Sequence, residues 1–329
     1  MLTPETCTFL GREPIHILGG VGRAPVRRQM RYSPVMKVPS AIAVLALATL
    51  LGLAFGRTAA AQPACLSPAA IADTDVARLA ADLSDGALCL GERTVEENGI
   101  VWHLVVVRNL AMPGPLWVVP HDEEDEGFDG GVYAVSRYGG TMVAIENGEQ
   151  RMVGDLDPNR AFAVTAEAAE VCGVQPAPLY VAAILEAWDG TQPIIGLHSN
   201  WDGFAGGGGV GTISVRRPDE KMIPFPSQVA TGRFADEDTI VMLVGAEPPA
   251  ANPQGQDAIT WLNGHGVHVI YRHVTPENYE CTLADYLTLN GRGVYLNLEV
   301  ERGDAATMPA LIDKAAEYLV SPAYRGRAQ

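Results

Sequence analysis

The sequence is short of positive charge. Lysine and arginine number 23 of 329 residues against 39 aspartates and glutamates, a net charge of −16 at pH 7. Wrapping a nucleic acid or lying on an anionic membrane takes basic patches, so the composition argues against both. The apolar run Ala41–Phe55 stops at 15 residues, short of the roughly 20 that a helical span needs. Internal repeats and long low-complexity linkers are missing, which excludes a solenoid. The four glycines at 206–209 are followed by no Lys-Ser or Lys-Thr pair, so they do not form a phosphate-cradling loop; a loop beside a site suits them better. With 47% apolar and 19% charged residues, the chain has ample material for a core and is not of the disordered type.

The N-terminal region reads as targeting sequence. In residues 36–61, Lys37 gives a positive start, Ala41–Phe55 an apolar centre and Ala59-Ala60-Ala61 a small-residue cleavage site. That is the layout of a secretory signal peptide removed before Gln62, leaving no stable membrane insertion. Residues 1–35, basic and without hydrophobic period, read as a start placed too early or as disordered chain. Without residues 1–61 the chain carries 16 basic and 37 acidic residues. It also keeps four cysteines, an even count that suggests two disulfides in a secreted or periplasmic protein. Of three possible pairings, Cys65–Cys89 with Cys172–Cys281 is the favoured one.

Asn98-Gly99 is a hairpin signal leading into a β-rich run. Residues 116–119, 141–146, 194–197, 239–245, 267–271 and 294–300 read as strands; 129–138, 178–188 and about 307–320 read as helices. This alternation predicts a single α/β domain with a mixed, mostly parallel sheet covered by helices on both faces. Within it, 62–110 is an N-terminal β-rich segment and 111–329 the catalytic domain.

Open α/β sheets bind ligands at strand ends, and two predicted ends run into a histidine. One gives Val-Val-Pro-His121-Asp-Glu-Glu124, an H-x-x-E pattern; the other gives Ile-Ile-Gly-Leu-His198. Two imidazoles and a carboxylate are the protein ligands of a catalytic zinc site that keeps a fourth position for water, and Glu123 stands close enough in sequence to compete with Glu124. Asn159-Arg160 is an amide–guanidinium pair suited to a substrate carboxylate, and Arg151 precedes it by eight residues. Around 294–301, period two sets Tyr295, Asn297, Glu299 and Glu301 on one face and Val294, Leu296, Leu298 and Val300 on the other. A carboxylate on that polar face could take a proton from water at the metal. His265, His268 and His273 form a poorer cluster, because an offset of five sends His268 and His273 to opposite faces of a strand; ordinary surface or packing histidines are the better account.

The series H-x-x-E, Arg, D-x-N-R-x-F, His and a late strand glutamate resembles the zinc carboxypeptidase superfamily. The short spacing from Arg151 to Asn159 is more similar to its succinylglutamate desuccinylase and aspartoacylase branch than to carboxypeptidase A. The resemblance spans roughly 115–320. It implies one Zn2+ on His121, Glu124 and His198, oxyanion stabilisation by Arg151, a carboxylate clamp of Asn159 and Arg160, and Glu299 as general base, with Glu301 the alternative. The long interval from His198 to Glu299 implies an insertion near 201–236, and Tyr271 and Tyr279 are candidates for the superfamily's tyrosine. The implied function is an exported zinc metallo-hydrolase acting on a small peptide or N-acyl amino acid with a free carboxylate beside the scissile amide. A cell-wall peptide would suit the compartment. A non-catalytic binding protein for anionic peptides is the competing reading.

Overall fold

The computed structural model describes residues 64–201, 213–216 and 221–325. The signal segment, the leader before it, Gly206–Gly209 and part of the expected insertion (202–212 and 217–220) lie outside the described residues. At Asn98 and Gly99 the backbone takes φ of 56° and 75°, the left-handed pair that a two-residue hairpin turn requires. That turn joins β1 (Leu88–Glu97) to β2 (Ile100–Asn109), and β2 continues antiparallel onto β4 (Thr141–Glu146). The N-terminal segment is therefore an extension of the main sheet. Two short helices, α1 (Thr74–Arg78) and α2 (Ala80–Leu83), precede it.

The other strands are β3 (Leu116–Val119), β5 (Ile194–Asn200), β6 (Met222–Phe225), β7 (Ile240–Gly245), β8 (His268–His273) and β9 (Tyr295–Glu301), in the sheet order β1-β2-β4-β3-β5-β9-β7-β8-β6. The central run β4-β3-β5-β9 is parallel throughout. The sheet as a whole is mixed but not mostly parallel: among the described residues it has four parallel and four antiparallel pairings. The correction comes from the hairpin side, from β6 at the far edge and from β9, which runs against β7.

Helices cover both faces, as the alternation predicts. Trp117 and Val119 of β3 join a core under α3 (Asp125–Tyr138), α6 (Pro253–Gly264) and α8 (Thr307–Val320); Leu116 and Val118 join another under α5 (Pro178–Ile184) and α7 (Leu283–Leu289). Two short helices, α4 (Ala166–Cys172) and α9 (Pro322–Arg325), complete the set. Expected helix boundaries hold for α8, while α3 begins four residues earlier than its pattern and α5 ends at Ile184. Both expected disulfides form, Cys65–Cys89 and Cys172–Cys281, the second bridging a separation of 109 residues. Among the described residues, no helix is long and apolar enough to cross a membrane.

Candidate metal centre

The parallel strands β3, β5 and β9 deliver their side chains to one end of the sheet. His121 follows β3 after Pro120, His198 is the fifth residue of β5, and Glu299 of β9 is its direct neighbour in register. Strand β5 runs on to Asn200, so His198 sits within the strand and not beyond it. Glu124 stands at the N-cap position of α3, yet its side chain makes no capping bond. Close packing of α3 on β5 brings it there: a Cβ added to Gly127 would meet the Leu197 carbonyl oxygen at 3.0 Å. Glycine permits that approach.

Glu124 is the hub. Its Oε1 contacts His121 Nδ1 at 2.7 Å and accepts from the Arg151 guanidinium at 2.7 Å. Its Oε2 contacts His198 Nδ1 at 3.0 Å and accepts from the Ser199 amide at 3.1 Å. One donor atom from each of His121, Glu124 and His198 lies within 4.8 Å of the others, and all three residues are buried. Burial alone would raise the Glu124 carboxyl, but the two imidazoles hold it well below the usual carboxylate range. Burial would lower His121; Glu124 and Asp157 outweigh it and push the imidazole up to about 9.

Asp157, the first residue of the D-x-N-R-x-F motif, has a role that the sequence does not assign. Its Oδ1 meets His121 Nε2 at 2.8 Å and accepts from the Asn159 amide at 2.8 Å, while its Oδ2 lies 3.6 Å from Arg151. A histidine whose second nitrogen is held by a carboxylate has its tautomer and ring orientation fixed, the usual environment of a metal-binding histidine. Two buried imidazoles and a carboxylate converging within one ion's reach, one ring so oriented, are a donor set that fits zinc.

Glu299 is buried beside this group. Its Oε1 accepts from Asn297 Nδ2 at 2.8 Å and its Oε2 from Asn200 Nδ2 at 3.4 Å. Burial raises its carboxyl, and nearby Glu124 adds to that, against His198, Asn297 and Arg151. Glu301, half-buried, pairs in register with Asn200, one step further out on the same face. Glu123 turns from the donor set toward Arg302 at 3.3 Å and Arg151 at 3.8 Å. Arg302 also lies over the exposed Trp201 ring, 4.6 Å from its centroid.

Arg160 is exposed and pairs with Glu280 at 3.2 Å, and Asn159 Oδ1 accepts from the Leu283 amide at 3.3 Å. The tyrosine candidates are engaged elsewhere: Tyr271 donates to the Glu247 carbonyl at 2.7 Å, and Tyr279 to that of Phe162. His265, His268 and His273 take surface or packing places, as expected. His268 Nδ1 accepts from the Ser227 amide at 2.9 Å, and His265 stacks on Trp261 at 3.7 Å between centroids.

No protein-family model and no curated protein matches the chain. Among solved structures it is similar to a metallo-carboxypeptidase from Burkholderia cenocepacia, at 14% identity and a TM-score of 0.41, over 74% of this chain and 67% of that one. It is also similar to an aspartoacylase family protein from Mesorhizobium loti, at 12% identity and a TM-score of 0.37, over 72% and 68% of the two chains. A succinylglutamate desuccinylase from Silicibacter sp. gives 12% identity, a TM-score of 0.38 and coverage of 72% and 68%.

Proposed function

We propose that this chain is an exported zinc-dependent amide hydrolase of the carboxypeptidase or amidohydrolase type, cleaving an amide next to a free carboxylate. The observation that carries the reading is the convergence of His121 and His198 on Glu124 at the ends of β3 and β5, with Glu299 in register beside His198. In this reading His121, Glu124 and His198 hold one zinc ion, with Asp157 fixing the His121 ring. Zinc, when bound, supplies a Lewis acid that polarises a carbonyl and makes water acidic near neutral pH.

The chain's own residues do the rest. Glu299 takes a proton from the attacking water as its oxygen bonds to the scissile carbonyl carbon, and passes that proton to the amide nitrogen as the C–N bond breaks. Asn297 and Asn200 keep its carboxylate oriented. Arg151 balances the negative charge that grows on the carbonyl oxygen; its guanidinium already lies against Glu124. Arg160 and Asn159 bind the substrate's free carboxylate, which must compete with Glu280 for the Arg160 guanidinium.

Two disulfides support an oxidising compartment, and the sequence before Gln62 supports export to it. Small peptides, cell-wall peptides included, and N-acyl amino acids are the substrate classes that fit. The test is hydrolysis of an N-acyl amino acid and of a short peptide by the zinc-loaded protein, each compared with its C-terminally amidated analogue. Cleavage of the free acids with little cleavage of the amides supports the reading. Equal cleavage removes the clamp from Asn159 and Arg160, and no cleavage of any substrate by zinc-loaded protein favours the binding protein.

A further inference from the structure

A second group of carboxylates sits behind the first. Asp122 follows His121 directly, Glu146 ends β4, and Asp73 caps α1 by accepting from the Val76 amide at 2.8 Å. One carboxylate oxygen from each lies within 4.8 Å of the other two. Asp122 is only 4% exposed. Its Oδ2 accepts from the Asn147 and Glu149 amides at 2.6 and 2.7 Å, which pins the carboxylate in place. Its Oδ1 is out of water and meets no donor, and the same holds for both oxygens of Glu146.

Three acceptors buried together without a donor are an unstable arrangement, and two things cure it: a proton shared between carboxyls, or a cation. The nearby guanidiniums are committed to other acids. Arg93, on the wall of the adjoining cavity, pairs with Glu186, and Arg78 pairs with Asp75 and Asp129. That cavity, of about 600 Å³, is lined by Asp73, Thr74, Glu146, Asn147 and Gly148 among others and opens to solvent, which gives a hydrated ion a way in.

We propose that Asp73, Asp122 and Glu146 bind a calcium ion. The donors are all hard oxygens, with no imidazole or thiolate among them, which favours calcium over zinc. Calcium–oxygen distances of about 2.4 Å set opposite ligands about 4.8 Å apart, a spread these oxygens satisfy, and water or peptide oxygens can complete a shell of six to eight. The ion would tie α1 to the end of β4 and to the turn that carries His121. It is a structural ion, and it is independent of the hydrolase reading.

The test is calorimetric titration of the purified protein with calcium chloride, alongside thermal unfolding at fixed ionic strength. The expected result is one calcium per chain with a Kd of about 1 mM or tighter and a higher Tm. Glu146→Gln and Asp73→Asn should each weaken binding at least tenfold; asparagine caps a helix as well as aspartate, so the second variant keeps α1 intact. No binding by the wild type up to about 5 mM calcium would overturn the proposal and leave the shared proton. Binding unchanged in both variants, or an equal rise in Tm with magnesium or with sodium at matched ionic strength, would overturn it as well.

Discussion

Replacing Glu299 by glutamine removes a base while changing little else. The carboxylate accepts two amide hydrogen bonds, a good one from Asn297 at 2.8 Å and a long one from Asn200 at 3.4 Å. The glutamine oxygen can keep the first. Its NH2 then faces the Asn200 donor, so the weaker bond is lost and a buried donor goes unanswered, at about 1–3 kcal/mol. Against that, the variant no longer buries a negative charge near Glu124, the two effects that raise the Glu299 carboxyl. The net change in stability should therefore be small. The chemical step has no such compensation: loss of a positioned base costs about 10²- to 10⁴-fold, or roughly 3–5.5 kcal/mol in the barrier. The assay is kcat/KM on an N-acyl amino acid, with zinc content and Tm measured on the same samples. Activity within about threefold of wild type would refute the assignment and move the base to Glu301 or elsewhere, whereas loss of zinc would make Glu299 a structural neighbour of the metal.

Other substitutions separate the remaining roles. Arg160→Gln should raise KM about 5- to 70-fold, the worth of a charged hydrogen bond less the weak surface pair with Glu280, with kcat little changed; steady-state kinetics with free-acid and amidated substrates reads this directly. Arg151→Gln should instead lower kcat, because the charge it balances exists only around the transition state, and an effect confined to KM would count against it. Asp157→Asn should weaken zinc affinity about 10- to 100-fold in competition with a chelator, since the His121 ring loses its charged partner; unchanged affinity would leave Asp157 serving the local turn alone. The double variant Cys172→Ser/Cys281→Ser should lose about 2–5 kcal/mol in urea unfolding, because the bridge closes a long loop. Free thiols at both positions in exported wild-type protein would contradict the disulfide and the compartment together.

Much of the site was legible because strand chemistry is periodic. Alternation along 294–301 put Asn297 and Glu299 on the face opposite Leu296, Leu298 and Val300, and those three pack into the core under α8. Predicted strand ends pointed to His121 and His198, although β5 runs on through His198, because Ser199 and Asn200 are polar but still pair with β9. Asp157 was legible as the first residue of the D-x-N-R-x-F motif but its role was not: an aspartate before proline reads as turn chemistry, and its partner His121 is 36 residues away. Helix α7 is only seven residues long and the apolar residues of α6 are confined to 258–262, so neither stood out; Thr282 and Asn252 cap them, but a cap alone does not announce a helix. The mostly parallel expectation failed at β6 and where β9 runs against β7, pairings set by contacts that local sequence does not encode, whereas the antiparallel β1–β2 pair was signalled by Asn98-Gly99.

The central claim is that His121, Glu124 and His198 hold one zinc ion. Elemental analysis of the purified protein by mass spectrometry, after exposure to micromolar zinc and removal of the excess, tests it most directly. The expected result is about one zinc per chain in the wild type, with the metal lost in His121→Ala and in His198→Ala while both variants remain folded by circular dichroism. A wild-type protein that takes up no zinc, or variants that retain it in full, would contradict the account.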